Sequence, residues 1–181
     1  GGLIRLPEKG LAITFDDGYK DNIATAAVML KERGLKATFF VTTSYIDQAV
    51  RKLWADGRPR EFMTWDDIAK LSMMGFEIGS HMAHHADLTP LPEDKILSEF
   101  EGSRAIISKH IGKAVEAFSY PYGGVDRRIT EIAGACGYKA GCSSFYGWNT
   151  ASTDPYILNR TEIDGYDTIN DSRLKLYGYY D

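Results

Sequence analysis

The sequence predicts an α/β fold, either an α/β barrel or a related wound sheet of parallel strands. The main observation is a unit that recurs three times: a helical pattern ends at a glycine and passes directly into an apolar run, at Gly34, Gly75 and Gly137. A glycine just past a helix adopts the left-handed conformation that turns the chain back. Repeated segments of helix, glycine and strand are typical of βα units around a parallel sheet.

The apolar runs of the chain give the predicted strands in order. We expect strands at residues 11–15, 37–41, 76–79, 117–120, 138–142 and 156–163. The segment 47–60 carries mixed charges with Gly57 and Pro59, and is predicted to be an insertion loop.

The helices are predicted from apolar stripes and from cap signals. Two stripes have helical spacing: Ile23, Ala26, Ala27 and Leu30, and then Ile96, Leu97, Phe100 and Ile107. Thr64 followed by Asp67 resembles a capping box that opens the helix ending at Gly75. A last helix is expected over residues 169–177.

Length and composition limit the possible functions. At 181 residues the chain is predicted to form a single domain, residues 1–181, without a linker or low-complexity tract. A net charge of -4 disfavours nucleic acid or an anionic membrane as partner, and no stretch has the roughly 20 apolar residues of a membrane span. Cys136 and Cys142 form neither a disulfide framework nor a zinc-site spacing, so we expect buried thiols.

Two adjacent carboxylates, Asp16 and Asp17, stand at the end of the first apolar run and before Gly18. In α/β folds ligands bind at the carboxyl ends of strands. Neighbouring residues leaving a strand point in different directions, so one aspartate could bind a metal while the other acts as a base. The alternative is an ordinary turn, in which aspartate and glycine are common.

Three of the four histidines follow the strand near residues 76–80, as His81, His84 and His85. Two imidazoles four residues apart can reach one cation, and one aspartate would complete a set of two histidines and a carboxylate. Such a set leaves coordination positions open for water and substrate. The alternative is a solvated polar loop, but the position at a strand end favours a metal site.

A third segment, residues 118–124, reads Phe-Ser-Tyr-Pro-Tyr-Gly-Gly and follows another apolar run. Proline lacks a backbone donor and glycine permits close approach, so free amides of this loop could face a ligand. Alone, the segment would be only a turn with aromatic residues.

In order and approximate spacing, segments 14–18, 81–85 and 118–123 resemble those of the polysaccharide deacetylases, the NodB-homology domains of carbohydrate esterase family 4. The resemblance covers residues 11–160. The third segment and an arginine after a late strand look more like the poly-N-acetylglucosamine deacetylase branch than the chitin deacetylases. The resemblance implies a distorted, partly open (β/α) barrel and a secreted or cell-envelope location.

The resemblance also implies roles for individual residues. Asp16 matches the catalytic base, and Asp17, His81 and His85 match the ligands of one divalent metal ion, zinc first, with cobalt, nickel or manganese as alternatives. Tyr122 matches the residue whose backbone N–H holds the oxyanion, in a turn shaped by Pro121.

Aromatic rings pack on the apolar faces of pyranoses, so rings near the predicted site loops are candidates for contact with an acetylated glycan. These are Tyr120, Tyr122, Tyr146 and Trp148. The alternative is ordinary packing in the core or on the surface.

The chain also departs from the family pattern. Met82 stands where Ser or Thr is usual, Ser119 stands where an arginine is usual, and no histidine follows His110 to serve as general acid. We predict that Arg160 replaces the missing arginine and pairs with Asp16, the alternative being an exposed arginine at a sheet end. The proton donor is predicted to be His84 or protonated Asp16, unless His84 is a buried structural residue.

The predicted function is therefore a metal-dependent hydrolase that removes N-acetyl groups from an N-acetylglucosamine-containing glycan. Alternatives are an acetyl-xylan-type esterase, a hydrolase of a small non-sugar amide, and a carbohydrate-binding domain with degenerate catalysis. Asp16 argues against the last, because a binding module needs no base.

Overall fold

A five-stranded parallel sheet forms the centre of the molecule in the computed structural model, which describes residues 10–47, 52–53 and 59–179. Its strand order is β1-β2-β5-β6-β7 and every pairing is parallel. The strands are β1 (Thr14–Phe15), β2 (Thr38–Val41), β5 (Glu77–Ser80), β6 (Ala117–Ser119) and β7 (Ala140–Cys142). Two short strands, β3 (Lys52–Leu53) and β4 (Pro59–Arg60), form a separate antiparallel pair.

Helices connect these strands, as the recurring glycines predicted. They are a π-helical turn (Asn22–Ala26) that continues into α1 (Ala27–Glu32), then α2 (Trp65–Met73), α3 (Glu93–Ile111), α4 (Arg127–Ala135) and α5 (Ile169–Leu176). Gly34, Gly75 and Gly137 all have positive φ. The capping box of Thr64 and Asp67 is present at the start of α2. None of the helices in the described part of the chain is long and apolar enough to cross a membrane.

The core lies between the sheet and the helices, with α3 packed against β5 and between α2 and α4. Phe118 of β6 meets Phe100 of α3 edge to face at 5.0 Å. A Cβ atom on Gly79 would lie 2.3 Å from Phe40, and one on Gly141 would lie 2.3 Å from Phe118. These glycines therefore leave the space that two core rings occupy.

Three details of the predicted apolar pattern are wrong. Leu11 is 70% exposed and precedes β1, which has only two residues. Leu97 is 40% exposed while Ile96 is fully buried, because consecutive helical residues point about 100° apart. Both cysteines are free thiols, as expected, but only Cys136 is buried.

Of the predicted insertion loop, residues 48–51 and 54–58 lie outside the described residues.

The predicted strand at 156–163 is also wrong, although the segment does run beside β7. It makes one isolated parallel bridge, from Leu158 to Cys142. Beyond this bridge the side chain of Asn149 bonds both the N–H and the C=O of Asn159, each at 2.9 Å. An amide side chain thus takes the backbone groups that a strand ladder would need.

Candidate active site

The candidate site lies at the carboxyl ends of β1, β5 and β6. Asp17 follows β1, while His81 and His85 follow β5. In the described part of the chain, these three residues form the one group of possible metal ligands, with one ligand atom from each lying within 4.8 Å of the others. Nε2 of His85 is 3.1 Å and Nε2 of His81 is 3.4 Å from Oδ1 of Asp17. The donor set and the spacing fit one divalent cation.

The orientation of His81 supports this fit. Its ring is buried, and Nδ1 lies 2.8 Å from the carbonyl oxygen of Ser119. A carbonyl can only accept, so Nδ1 carries the hydrogen. The lone pair of Nε2 in a neutral ring then faces the Asp17 carboxylate, and two acceptors at that distance repel each other unless a cation or a proton lies between them.

The electrostatics of the group also favour a positive charge. Burial lowers the pKa of His81. Its hydrogen bond to Asp17 and the negative charge of Asp16 raise this pKa by more than burial lowers it, so the net shift is upward. For Asp17, burial raises the pKa, and hydrogen bonds from His81, His85 and Tyr19 outweigh it, so the net shift is downward. Asp17 therefore stays ionised, as a metal ligand must.

Asp16 is held separately from this group. Arg160 donates from Nη1 to Oδ1 at 2.9 Å and from Nη2 to Oδ2 at 2.8 Å. The pairing of these two residues predicted from the sequence is thus confirmed. Burial raises the pKa of Asp16, but the hydrogen bonds of Arg160 and the charges of His81 and Arg160 lower it by more. Asp16 is an ionised carboxylate in a fixed orientation.

Ser119 connects the pair of Asp16 and Arg160 to the group of possible metal ligands. Its hydroxyl donates to Oδ2 of Asp16 at 3.0 Å and accepts from Arg160 at 2.9 Å, while its carbonyl accepts from His81. Sequence analysis identified Ser119 only as the residue in place of an arginine. The small side chain leaves room for a guanidinium that arrives from a distant segment.

Backbone strain is concentrated in these loops. Five non-glycine residues of the described chain have positive φ, and four of them belong to the site segments: Asp17 at 71°, Met82 at 64°, His85 at 55° and Tyr122 at 60°. Such conformations are costly and are retained where the surrounding structure enforces them, often at functional sites.

Tyr122 lies beside the histidines, in a 3-10 turn formed by Pro121–Gly123. The residue is 72% exposed, and its ring meets the ring of His85 edge to face at 4.9 Å. Pro121, the first residue of this turn, is buried. The exposed ring and the turn backbone therefore form one wall of the site.

Tyr120 does not contribute to a substrate surface, which corrects its predicted role. It is 1% exposed, packs on Phe118, and donates its hydroxyl to the carbonyl of Tyr156 at 2.9 Å. Tyr120 leaves β6 toward the core, whereas Tyr122 is turned outward by its positive φ.

Tyr146 and Trp148 lie in the loop after β7 and are 44% and 68% exposed. A Cβ atom on Gly178 would be 3.5 Å from both the Tyr146 hydroxyl and Nε1 of Trp148. The two rings are thus close to the same point of the chain after α5, and both remain accessible.

His84 is not buried, so the alternative of a buried structural role for this residue is wrong. Its side chain is 71% exposed, and Nδ1 lies 2.5 Å from Oε1 of Glu99 on α3. Sequence reasoning missed Glu99, although a signal existed: an acidic residue lies on the apolar face of a helix, between Ile96 and Phe100.

The protein belongs to the class of α/β half-barrels with a candidate metal site. Its curled parallel sheet carries one Asp/His/His group at the strand ends, together with a second aspartate that is bound by an arginine. The polysaccharide deacetylase family matches residues 4–141, well over half of the chain. The chain belongs to this family, as its three motifs predicted.

Two relatives from Bacillus subtilis match most of this chain. The protein YxkH is 28% identical over 86% of the chain, and the peptidoglycan-N-acetylmuramic acid deacetylase PdaA is 29% identical over 84%. These matches cover 52% and 51% of the two relatives. The chain therefore spans about half of their length.

Solved structures show the same fold. The Streptococcus pyogenes deacetylase PplD, in complex with acetate, has a TM-score of 0.82 at 23% identity, covering 94% of this chain and 71% of that one. IcaB from Ammonifex degensii has a TM-score of 0.77 at 23% identity, covering 90% and 71%. The predicted distorted, partly open (β/α) barrel is confirmed.

Proposed function

We propose that the protein is a metal-dependent deacetylase that hydrolyses the N-acetyl groups of an N-acetylglucosamine-containing polysaccharide or oligosaccharide. The observation that carries the proposal is the separation of the two adjacent aspartates: Asp17 faces His81 and His85, while Asp16 is held by Arg160. One carboxylate is available as a ligand and the other as a base.

Asp17, His81 and His85 would hold one divalent cation, with zinc as the first choice and cobalt, nickel or manganese as alternatives. When bound, such an ion lowers the pKa of water and polarises a carbonyl oxygen. The N–H on Nδ1 of His81, fixed by Ser119, keeps Nε2 free to bind it.

Asp16 is proposed to accept the proton of the attacking water. Its lowered pKa keeps it ionised at neutral pH, and the paired hydrogen bonds from Arg160 fix the plane of its carboxylate. Arg160 thereby acts as a positioning residue. The backbone N–H of Tyr122 is proposed to donate to the oxyanion of the tetrahedral intermediate.

The leaving amine also needs a proton. Protonated Asp16, whose Oδ2 lies 4.0 Å from Nε2 of His81, is already in place to return one, whereas the His84 side chain is 71% exposed and is not part of the group of possible metal ligands. We therefore assign both proton transfers to Asp16.

Exposed rings support a sugar substrate. Tyr122 stands at the histidines, and Trp148 offers an exposed indole in a neighbouring loop. Flat rings of this kind pack on pyranose faces. PdaA, by its name, acts on N-acetylmuramic acid in peptidoglycan, which is chemically close to the N-acetylglucosamine proposed here.

The test is acetate release from a panel of acetylated glycans by the zinc-loaded protein, with the metal content measured in parallel. We expect release from N-acetylglucosamine oligomers and none from the Asp17→Ala variant. The exposed Asp66→Asn change on α2 serves as the matched control. Release from acetylated xylan alone would indicate an esterase, and glycan binding without release would indicate a degenerate binding domain; either result overturns the proposal.

A further inference from the structure

Glu99 is an acidic residue in the interior of the protein. It lies on α3, is 8% exposed, and is flanked on its helix face by the fully buried Ile96 and Phe100. A carboxylate that loses its hydration is costly unless donors replace the water. The groups that donate hydrogen bonds to Glu99 therefore indicate the role of its carboxylate.

In the described part of the chain, the donors bonded to the Glu99 side chain belong to the loop between His81 and His85. Oε2 accepts the backbone N–H groups of Ala83 and His84, both at 2.9 Å, and Oε1 pairs with Nδ1 of His84 at 2.5 Å. The side chain thus holds two consecutive amides midway between His81 and His85.

This loop needs external support, because Met82 and His85 both have positive φ. Such residues keep their conformation only where the surroundings enforce it. Further bonds act on the same loop: Ser80 Oγ accepts from the Met82 amide at 3.1 Å, and the Ser44 amide donates to the Ala83 carbonyl at 2.9 Å. Among these supports, Glu99 is the one that carries a carboxylate and that comes from an α-helix.

We infer that Glu99 is a positioning residue that sets the spacing of the His81 and His85 rings for the metal. This inference rests on the proposed function. The exposed His84 is then the partner that covers the Glu99 carboxylate on its solvent side.

The experiment measures zinc affinity by chelator competition on folded protein, with folding checked by circular dichroism. Glu99→Met keeps the length of the side chain but removes both acceptors, and we expect zinc affinity to fall by about 10–100-fold, the usual cost of losing a residue that orients a ligand. Glu99→Gln should retain affinity close to the parent, because its amide oxygen can accept both loop N–H groups. Glu101→Met, on the exposed side of the same helix, is the matched control and should equal the parent.

A folded Glu99→Met variant with parental zinc affinity and only a lower thermal midpoint would overturn the inference, since that is the result of a purely structural role. If Glu99→Met does not fold, Glu99→Asp carries the same comparison, because its carboxylate is one methylene too short to hold both amides. If zinc binding is lost in Asp17→Ala but unchanged in Glu99→Met, this inference is overturned and the proposed function is not. A parent protein that binds no zinc overturns it together with the proposed function.

Discussion

The guanidinium of Arg160 and the carboxylate of Asp16 are joined by two parallel hydrogen bonds, of 2.9 and 2.8 Å, between residues 144 positions apart in the chain. Arg160 also donates from Nε to the carbonyl of Ser143 and from Nη1 to the hydroxyl of Thr14. The segment that follows β7, one edge strand of the sheet, is thereby linked through the Arg160 side chain to the end of β1, the other edge strand.

Replacing the base should separate catalysis from metal binding. We expect Asp16→Asn to reduce turnover by roughly 10²–10⁴-fold, the usual contribution of a general base, while zinc affinity stays nearly unchanged because Asp16 is proposed as the base and not as a ligand. Acetate release and chelator competition measure the two quantities. Asp66→Asn is the control, and a variant that lost its zinc would mean that the roles of Asp16 and Asp17 are reversed.

Arg160→Ala should lower kcat more than it raises KM, because the residue orients Asp16 and does not contact substrate in our proposal. Arg160 lowers the pKa of Asp16, so its removal raises that pKa and should move the acid limb of the pH–rate profile to higher pH. Arg160→Lys keeps the charge without the paired geometry and should rescue activity only in part. An unchanged pH profile with normal kcat would exclude the positioning role.

Trp148→Ala should raise KM for glycan oligomers with a smaller effect on kcat, because an exposed indole provides binding surface and takes no part in proton transfer. The side chain is 68% exposed, so the thermal midpoint should change little. Tyr166, which is 90% exposed, offers the control Tyr166→Ala. Steady-state kinetics with oligomers of increasing length would show the effect, and equal KM values in parent and variant would remove Trp148 from the substrate surface.

The capping box of α2 should make stability depend on pH. Burial raises the pKa of Asp67, but the hydrogen bonds from Lys20 and from the backbone and hydroxyl of Thr64 lower it below 3.8 overall. The stabilisation is therefore complete above pH 3.8 and is lost as pH falls through the lower folded-state pKa. At pH 7, Asp67→Asn should cost about 1 kcal/mol of unfolding free energy, the usual size of a cap.

Urea unfolding of the parent and Asp67→Asn, repeated from pH 7 to pH 3, measures this difference. The gap between the two proteins should narrow only at the acid end of the series. Asp66→Asn, one residue earlier and exposed, should show no comparable loss. A gap that is constant at every pH would mean that the Asp67 charge does not contribute.

The thiol of Cys142 should react slowly in the native protein. Although Cys142 is only partly buried, the loss of hydration around its thiol raises its pKa to about 11, so only about one thiol in 10³ is ionised at pH 8, and the thiolate is the reactive form. Labelling with iodoacetamide, followed by mass spectrometry, should be much faster in urea than in buffer. Equal rates in the two conditions would contradict the predicted shift.

The sequence by itself determined the class of fold and the core of the site. Helix-ending glycines and apolar runs are local signals, so they predicted the βα units correctly. His81, His85 and one of the two aspartates could be grouped from the sequence because the carboxyl ends of parallel strands share one edge of a sheet, and the family resemblance selected Asp17 as that aspartate. The pairing of Arg160 with Asp16 was also predicted, from the arginine that the family resemblance showed to be missing and from the position of Arg160 directly after an apolar run.

Only the tertiary structure decided the orientation of the residues around that core. Tyr120 and Tyr122 are two residues apart in similar sequence, yet one is buried on Phe118 and the other is exposed beside His85. Ser119 and Glu99 acquire their partners through contacts between distant segments. Local propensity and periodicity describe neighbours along the chain, whereas these hydrogen bonds depend on how the sheet curls and where α3 packs against it, which no short segment of sequence encodes.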